Sequence, residues 1–155
     1  KIPLIMCWSS GVEELVQLTP EIRDNIWVGS NFYYTADTPV AKNFVKNYQA
    51  KFGNPPGYAP SAAYGMTRMM LHGFDKAKSV EVQDVIRALE GIEVNDLVGR
   101  MRVDAKTHQT LRPFFFMRCK PKSAMKHPTD FADIIATGDT PLPAEYAACK
   151  DIGSF

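Results

Sequence analysis

The stretch from Pro55 to Gly91 most constrains the fold of this chain. It opens with a turn rich in proline and glycine and continues as two consecutive helical patterns, the second one after Ser79. Apolar residues recur at steps of three and four in both patterns, so each helix has one apolar face. The first face consists of Ala63, Met66, Met70, Phe74 and Ala77. The second face consists of Val82, Val85, Ile86 and Leu89. Two such helices in succession need a surface against which both faces can be buried.

Composition places the chain among soluble globular proteins. Its 155 residues are 45% hydrophobic and 23% charged, which suits one ordinary domain with a sizeable core. The net charge of +1 gives no electrostatic argument for nucleic acid or for an anionic membrane as a partner. No run of residues approaches the roughly 18 apolar positions of a membrane span. Because residue 1 is lysine rather than methionine, we expect a mature product or a fragment of a longer protein.

The first strand and the residues after it suggest a binding edge. The apolar run from Ile2 to Cys7 predicts a short strand that is buried on both faces. Ser10 and the glutamate three residues later fit a helix capping box, so a helix should follow at once. Ligands bind at such strand-to-helix edges in α/β sheets, which makes Trp8, Ser9 and Ser10 candidate pocket residues. A purely structural interpretation, in which the serines cap and the tryptophan packs, stays open.

Aromatic residues mark two further candidate positions. A second predicted strand, Ile26–Tyr34, ends in three consecutive aromatics, and we expect either core packing or a ligand cleft to explain Tyr33. A helix should then begin after Thr38 and end at Gly53. Tyr58 follows on a stiff turn between Gly57 and Ala59, where it either stacks on a ligand or packs on the neighbouring helix.

The last third of the chain predicts strands and then a tail. Gly99–Asp104 alternates as a strand, and a second strand runs to about Cys119. Pro113 interrupts this pair, which indicates an edge or a crossing point between two sheets. The pattern fades after Lys120, where we expect a surface tail with at most a helical turn at Asp130–Ile135.

No motif for catalysis or for cofactor binding is present. The chain contains no glycine-rich phosphate loop, nucleophile elbow or paired-histidine zinc motif, and its three histidines are isolated. The cysteines at positions 7, 119 and 149 have no metal-ligand spacing. Cys119 and Cys149 flank a proline-rich segment, so they form either a disulfide or separate apolar core residues. The sequence therefore contains no nucleophile, base or cofactor loop that would support an enzyme, and we expect neither cofactor nor metal.

The order of several motifs resembles the second half of a type I periplasmic solute-binding protein. The motifs are I-P-L-I-M-C, N-I-W-V-G-S-N-F-Y-Y-T, F-V-K-N-Y-Q-A-K-F-G-N-P-P, Y-A-P-S-A-A-Y-G-M, A-L-E-G and G-R-M-R-V-D-A-K-T-H-Q. The resemblance covers about residues 1–119. The family that the chain resembles is the Leu/Ile/Val-binding-protein-like family of ABC transporters.

This resemblance implies an α/β fold with two Rossmann-like lobes joined by three crossovers, only partly represented in this chain. Residues 1–36 then belong to the C-terminal lobe and residues 37–111 to the N-terminal lobe, while residues 112–155 return to the C-terminal lobe and form a tail. The resemblance further implies that the N-terminal half of the protein, or a second copy, supplies the sheet that the helices should cover.

The resemblance also implies a function. It predicts an extracytoplasmic, periplasmic component of an ABC importer that binds a small organic solute between its lobes and delivers it to a membrane permease. An alternative is the ligand-sensing domain of a receptor or amide-responsive regulator with the same fold. Tyr58 falls near the family's ligand-facing aromatic, with Trp8 and Tyr33 beside it. Ser9 and Ser10 fall where amino-acid binders place an acidic residue, so an aromatic acid or amide is an alternative ligand to a branched-chain amino acid.

Overall fold

The structure is a computed structural model that describes residues 2–6, 12–139 and 146. Within these residues the chain forms seven strands and five α-helices. In chain order they are β1 (Leu4–Met6), α1 (Val12–Leu15), α2 (Pro20–Arg23), β2 (Ile26–Ser30), α3 (Pro39–Phe52), α4 (Tyr58–Ala77), α5 (Val82–Leu89), β3 (Glu93–Asp96), β4 (Gly99–Val103), β5 (Thr110–Leu111), β6 (Phe114–Cys119) and β7 (Ala132–Gly138).

A mixed sheet of four strands has the order β1-β2-β6-β7. β1 runs parallel to β2, whereas β6 is antiparallel to both β2 and β7. Residues in β2 alternate between buried and half-buried positions, and the outward Trp27 stacks on Phe116 with 5.3 Å between ring centroids. Leu4 and Ile5 in β1 are 55% and 62% exposed. The expectation of a strand buried on both faces is therefore wrong, because β1 is an outer strand among the described residues.

A second sheet is antiparallel and has the order β3-β4-β5. It follows α5 directly, and Val103 N–H in β4 donates to Ile92 O at 3.0 Å. Pro113 separates β5 in this sheet from β6 in the four-stranded sheet. Of the two alternatives that the sequence leaves open at Pro113, an edge or a crossing between two sheets, the structure has the crossing.

The helix α3 agrees closely with its sequence signals. Thr38 Oγ1 accepts a hydrogen bond from Ala41 N–H at 3.0 Å, which satisfies a free amide at the helix start. The helix ends at Gly53, whose φ of 79° lies in the left-handed region that glycine adopts without strain.

The buried face of α4 differs from the predicted one. The residues buried on this helix are Ser61, Gly65, Met69 and Gly73. Met66 and Met70, which were expected to face inward, are 52% and 39% exposed. Two glycines on one face allow close packing, because a Cβ added at Gly73 would lie 2.9 Å from Leu89 Cδ2 of α5. Small residues therefore decide which face of α4 packs within this chain, and the larger apolar side chains stay outside.

One large apolar core joins elements from both sheets. Val28 and Met117 of the four-stranded sheet belong to the same buried cluster as Phe44 of α3 and Leu97 after β3. A smaller cluster lies between α4 and the three-stranded sheet, around Met69 and Met101. In the described residues, all strands of the four-stranded sheet come from positions before 37 or after 111, and the other sheet lies between these positions.

The segment after Cys119 is more ordered than its sequence suggests. A short 3-10 helix at Lys122–Ala124 leads to β7, which pairs with β6 along its length. The expected helical turn at Asp130–Ile135 is wrong, because these residues enter the sheet beside β6. Along the part of the chain that the structure describes, no helix has the length and apolar character needed to cross a bilayer.

Candidate functional site

The predicted binding edge lies at the carboxyl ends of two parallel strands. β1 and β2 are parallel and in register from Leu4 with Ile26 to Met6 with Val28, so both strands end at the same edge of the sheet. Trp8, Ser9 and Ser10 follow β1 and lie outside the described residues. Free backbone amides and side chains at such an edge are a common place for ligands in α/β folds.

Tyr33, at the end of β2, is a core residue. Its side chain is only 1% exposed, and its ring contacts Phe131 with 5.6 Å between centroids. Its hydroxyl donates to Thr129 O at 2.9 Å and accepts from Ala132 N–H at 3.3 Å. Burial raises the pKa of Tyr33 far above its ordinary value. The expectation that Tyr33 contacts a ligand is therefore corrected: the ring is enclosed and both hydrogen-bonding functions of the hydroxyl are used to hold the segment before β7.

Tyr34 is the more accessible of the aromatics after β2. It is half-buried, and its ring lies 4.8 Å from that of Tyr33. Burial raises the pKa of Tyr34 above its ordinary value. Hydrogen bonds with Tyr33 and Thr129 act in the opposite direction and are weaker than the effect of burial. The sequence has three adjacent aromatics here, and only the structure shows that Phe32 and Tyr33 are enclosed whereas Tyr34 is more open.

Tyr58 begins α4 and is held by the stiff turn before it. Pro56 and Gly57 are buried, and the Tyr58 side chain is half-buried. Its carbonyl oxygen accepts a hydrogen bond from Ser61 Oγ at 2.7 Å, which fixes the first turn of the helix. A half-buried aromatic on a rigid backbone suits a ligand contact because little conformational entropy is lost on binding.

A buried ion pair lies between the two sheets, and sequence reasoning did not find it. Arg112 Nη2 is 3.1 Å from Asp96 Oδ2 and donates to Asn31 O at 3.3 Å. The Asp96 side chain is 1% exposed, and a Cβ added at Gly65 of α4 would lie 3.0 Å from its Oδ1. Burial lowers the pKa of Arg112, and Asp96 acts in the opposite direction. The only sequence signal was the position of Arg112 beside the crossing at Pro113.

Arg112 connects elements that the sequence separates widely. Asn31 follows β2 of the four-stranded sheet, whereas Asp96 ends β3 of the three-stranded sheet. One guanidinium therefore bridges the two parts of the molecule at the point where the chain passes from one sheet to the other. The ion pair thus spans the two sheets beside the end of β2.

Cys119 in β6 is only 1% exposed and has no disulfide partner among the described residues. Burial raises the pKa of its thiol to about 11, which keeps the sulfur protonated and unreactive near neutral pH. Cys149 lies outside the described residues, so the alternative of a Cys119–Cys149 disulfide stays a prediction.

Further titratable side chains form ion pairs in the described part of the chain. His108 Nε2 lies 3.0 Å from Glu90 Oε1 in a half-buried pair. The Nζ of Lys120 lies between Asp130 and Asp133, at 2.8 and 3.3 Å from their Oδ1 atoms. Among residues 2–6, 12–139 and 146, no cluster of three histidine, cysteine, aspartate or glutamate side chains could hold a metal ion.

A mixed sheet with parallel strands at one edge, joined through a crossing to a second helix-backed unit, is typical of α/β solute-binding proteins. Comparison with known families agrees. Residues 2–124 match the model of the periplasmic binding protein family, so the chain belongs to this family. Its fold is that of type I periplasmic binding proteins, and structures of ABC-type amino acid binding proteins are its neighbours.

Several solved structures share the fold. The substrate-binding protein of an amino acid ABC transporter from Pseudomonas fluorescens aligns with a TM-score of 0.88 and 22% identity, over 96% of this chain and 40% of that one. A solute-binding protein from Rhodopseudomonas palustris in complex with 3,4-dihydroxybenzoic acid aligns with a TM-score of 0.74 and 16% identity, over 87% and 36%.

A third structure is the closed conformation of a leucine-, isoleucine-, valine-, threonine- and alanine-binding protein from Brucella ovis. It aligns with a TM-score of 0.68 and 19% identity, over 79% of this chain and 34% of that one. This chain therefore spans about 34–40% of the length of these structures. A search of curated proteins found no match.

Proposed function

We propose that this chain is part of the extracytoplasmic solute-binding component of an ABC importer. The observation that supports this most directly is the likeness to the Pseudomonas fluorescens transporter protein, which extends over 96% of the chain with a TM-score of 0.88. The protein binds its solute in a cleft between two lobes, releases it unchanged and delivers it to a membrane permease. Its place of action is the periplasm, and its role is binding rather than catalysis.

The solute is a small organic molecule, either a branched-chain amino acid or an aromatic acid or amide. Both classes of ligand occur among the neighbours, as 3,4-dihydroxybenzoic acid in one structure and as aliphatic amino acids in the name of another. Ser9 and Ser10 supply no carboxylate for an ammonium group at the edge after β1. We therefore favour an aromatic acid or amide, with Tyr58 and Trp8 as the stacking residues and the two serines as hydrogen-bonding partners.

Calorimetric titration of the complete protein that contains this chain tests the function and the ligand class together. L-Leucine, benzoate and benzamide are titrated separately. Saturable binding of any solute without turnover supports the importer function, and the absence of binding together with normal uptake in a deletion strain contradicts it. Tight binding of leucine alone would refute the preference for aromatic acids while leaving the importer function intact.

Two variants of Tyr58 test its role in this site. Tyr58→Ala removes the ring, and we expect about a three- to tenfold loss of affinity, as for one aromatic contact. Tyr58→Phe keeps the ring and the rigid turn, so its affinity should stay within about twofold of the original. Equal affinities of the alanine variant and the original protein would exclude Tyr58 from the site.

We also propose that the rest of the longer protein covers the apolar surfaces that this chain leaves open. Met66 and Leu71 on α4 are 52% and 59% exposed, and Val82 on α5 is 71% exposed. A cavity of about 150 Å³ between these helices and β4 is lined largely by apolar side chains, including three methionines. An apolar surface of this kind marks an interaction site. The alternative occupant is a second copy of the chain.

Size-exclusion chromatography with light scattering distinguishes these two occupants. The 155-residue chain alone is expected to bind a hydrophobic dye strongly, and the complete protein is expected to bind it weakly and to remain monomeric. A complete protein that forms a dimer, with Met66→Glu restoring the monomer, would assign the surface to a second copy. Weak dye binding by the isolated monomeric chain would contradict both occupants.

A further inference from the structure

A second cavity differs in character from the predicted solute site and is lined by three arginines. It lies where the three-stranded sheet meets the ends of β6 and β7, and its volume is about 260 Å³. We refer to it as the arginine pocket. Its lining residues are Arg100, Arg102, Leu111, Arg112, Pro113 and Asp139. Tyr58 and Tyr33 are not among them, so the pocket is separate from both tyrosines that the sequence singled out.

Strand alternation explains how two of the arginines reach the pocket. In β4, Met101 and Val103 are buried in the core, so Arg100 and Arg102 project from the opposite face. Arg102 is paired with Leu111 of β5, which brings the next residue, Arg112, to the same region. Three guanidinium groups therefore converge at the crossing between the sheets.

Arg112 is the fixed member of this group. Its Nη2 holds both Asp96 Oδ2 and Asn31 O, while its buried Nε has no hydrogen-bond partner among the described residues. The guanidinium is thus held in position by two contacts through one nitrogen. Because the Nε is buried, an anion in the pocket would meet the terminal N–H groups of the guanidinium. A guanidinium positioned in this way loses little freedom when it binds an oxyanion.

The lining of the pocket is positive, although each of its arginines also has a carboxylate neighbour that does not line it. Three arginines and one aspartate line it, which gives a net charge of +2 for the lining residues. The carboxylates that hold the arginines lie beside or behind the pocket: Asp96 is buried, and Glu93 pairs with Arg100 at 3.2 Å on the exposed surface. Asp104 is a further carboxylate near Arg102. Hydrogen bonds from Thr107 and Lys106 are the main causes that lower the pKa of Asp104, and the charge of Arg102 is a smaller one.

We propose that the arginine pocket is a binding site for a small dianion, namely inorganic phosphate or a short dicarboxylate. Forked guanidinium donors match the paired oxygens of both groups. Asp139 is the carboxylate among the described lining residues, and an anion would compete with it for the guanidinium groups. The site is independent of the proposed solute cleft, and either site can exist without the other.

Nuclear magnetic resonance on the ¹⁵N-labelled complete protein that contains this chain tests the site. The arginine Nε–Hε signals are followed during titration with phosphate and, separately, with succinate, at constant ionic strength maintained with sodium chloride. We expect saturable shifts for the arginines of the pocket in at least one titration, and the comparison of the two shows which anion binds. Linear shifts without saturation in both titrations would overturn the proposal.

Variants with opposite expected effects make the result specific. Arg102→Gln removes an exposed donor from the pocket and should weaken binding by about tenfold, as expected for a charge-assisted hydrogen bond. Asp139→Asn removes the competing carboxylate and should strengthen binding. Arg87→Gln removes the same charge from the exposed side of α5, does not line the pocket, and should leave the affinity unchanged. Equal loss of affinity in the Arg87 and Arg102 variants would show nonspecific ion attraction and refute the site.

Discussion

Replacement of Asp96 by asparagine is expected to lower the free energy of unfolding by about 2 kcal/mol. The substitution keeps the shape of the side chain, so it creates no cavity beside Gly65. It removes the negative charge that lies 3.1 Å from Arg112 Nη2 and leaves the guanidinium without its ionic partner. The effect therefore reports the ion pair between the two sheets rather than a loss of packing.

The magnitude follows from the burial of the two partners. Breaking a fully buried ion pair costs about 3–5 kcal/mol. Asp96 is 1% exposed, but the Arg112 side chain is 18% exposed, so the guanidinium left without its ionic partner keeps some contact with solvent. Arg112 also keeps its bond to Asn31 O. These differences reduce the expected cost to about 2 kcal/mol, which corresponds to a fall of roughly 4–8 °C in Tm for a chain of this size.

Urea denaturation followed by circular dichroism measures the change in unfolding free energy. Glu93→Gln is the matched control, because its pair with Arg100 is similar in length, at 3.2 Å, but exposed on both sides. Its cost should be below about 1 kcal/mol. The double variant Asp96→Asn/Arg112→Gln should show a coupling energy of at least about 1 kcal/mol. If Asp96→Asn costs no more than Glu93→Gln, the ion pair does not hold the sheets together and the reasoning fails.

Three further predictions concern single residues. Thr38→Ala should destabilise the protein by about 1–2 kcal/mol, because Thr38 Oγ1 caps α3 and donates to Leu97 O at 2.9 Å. Thr38→Ser keeps the hydroxyl and should retain most of the stability. Equal unfolding midpoints for the alanine and serine variants would contradict this. Gly53→Ala should cost about 1 kcal/mol in urea denaturation purely through its φ of 79°, since no atom lies within 4 Å of an added Cβ, and Gly53→Asn should cost less. In the reduced native protein, Cys119 should not react with Ellman's reagent at mildly alkaline pH, because its pKa of about 11 leaves little thiolate. Cys119→Ala should therefore leave the number of reactive thiols unchanged in the native protein and lower it by one in the denatured protein.

Local sequence signals predicted most of the elements. The cap at Thr38, the stop at Gly53 and the alternation in β4 depend on contacts within a few residues, and the structure has the corresponding helix and strand. Pro113 indicated an edge or a crossing between two sheets, because proline cannot donate in the middle of a sheet, and the structure has the crossing. Periodicity failed at β7, where pairing with β6 orders a segment whose own pattern is weak.

The sequence by itself determined the class of fold, because caps, breakers and apolar runs are local properties, and it indicated the family through the resemblance of its motifs and their order. Only the tertiary structure decided which face of α4 is buried, since Gly65 and Gly73 allow an approach that hydrophobic periodicity ignores. It likewise decided that Tyr33 is enclosed and that Arg112 meets Asp96, because the partners of both lie far away in the chain. Burial and pairing over such distances depend on which elements meet, and no local pattern encodes that.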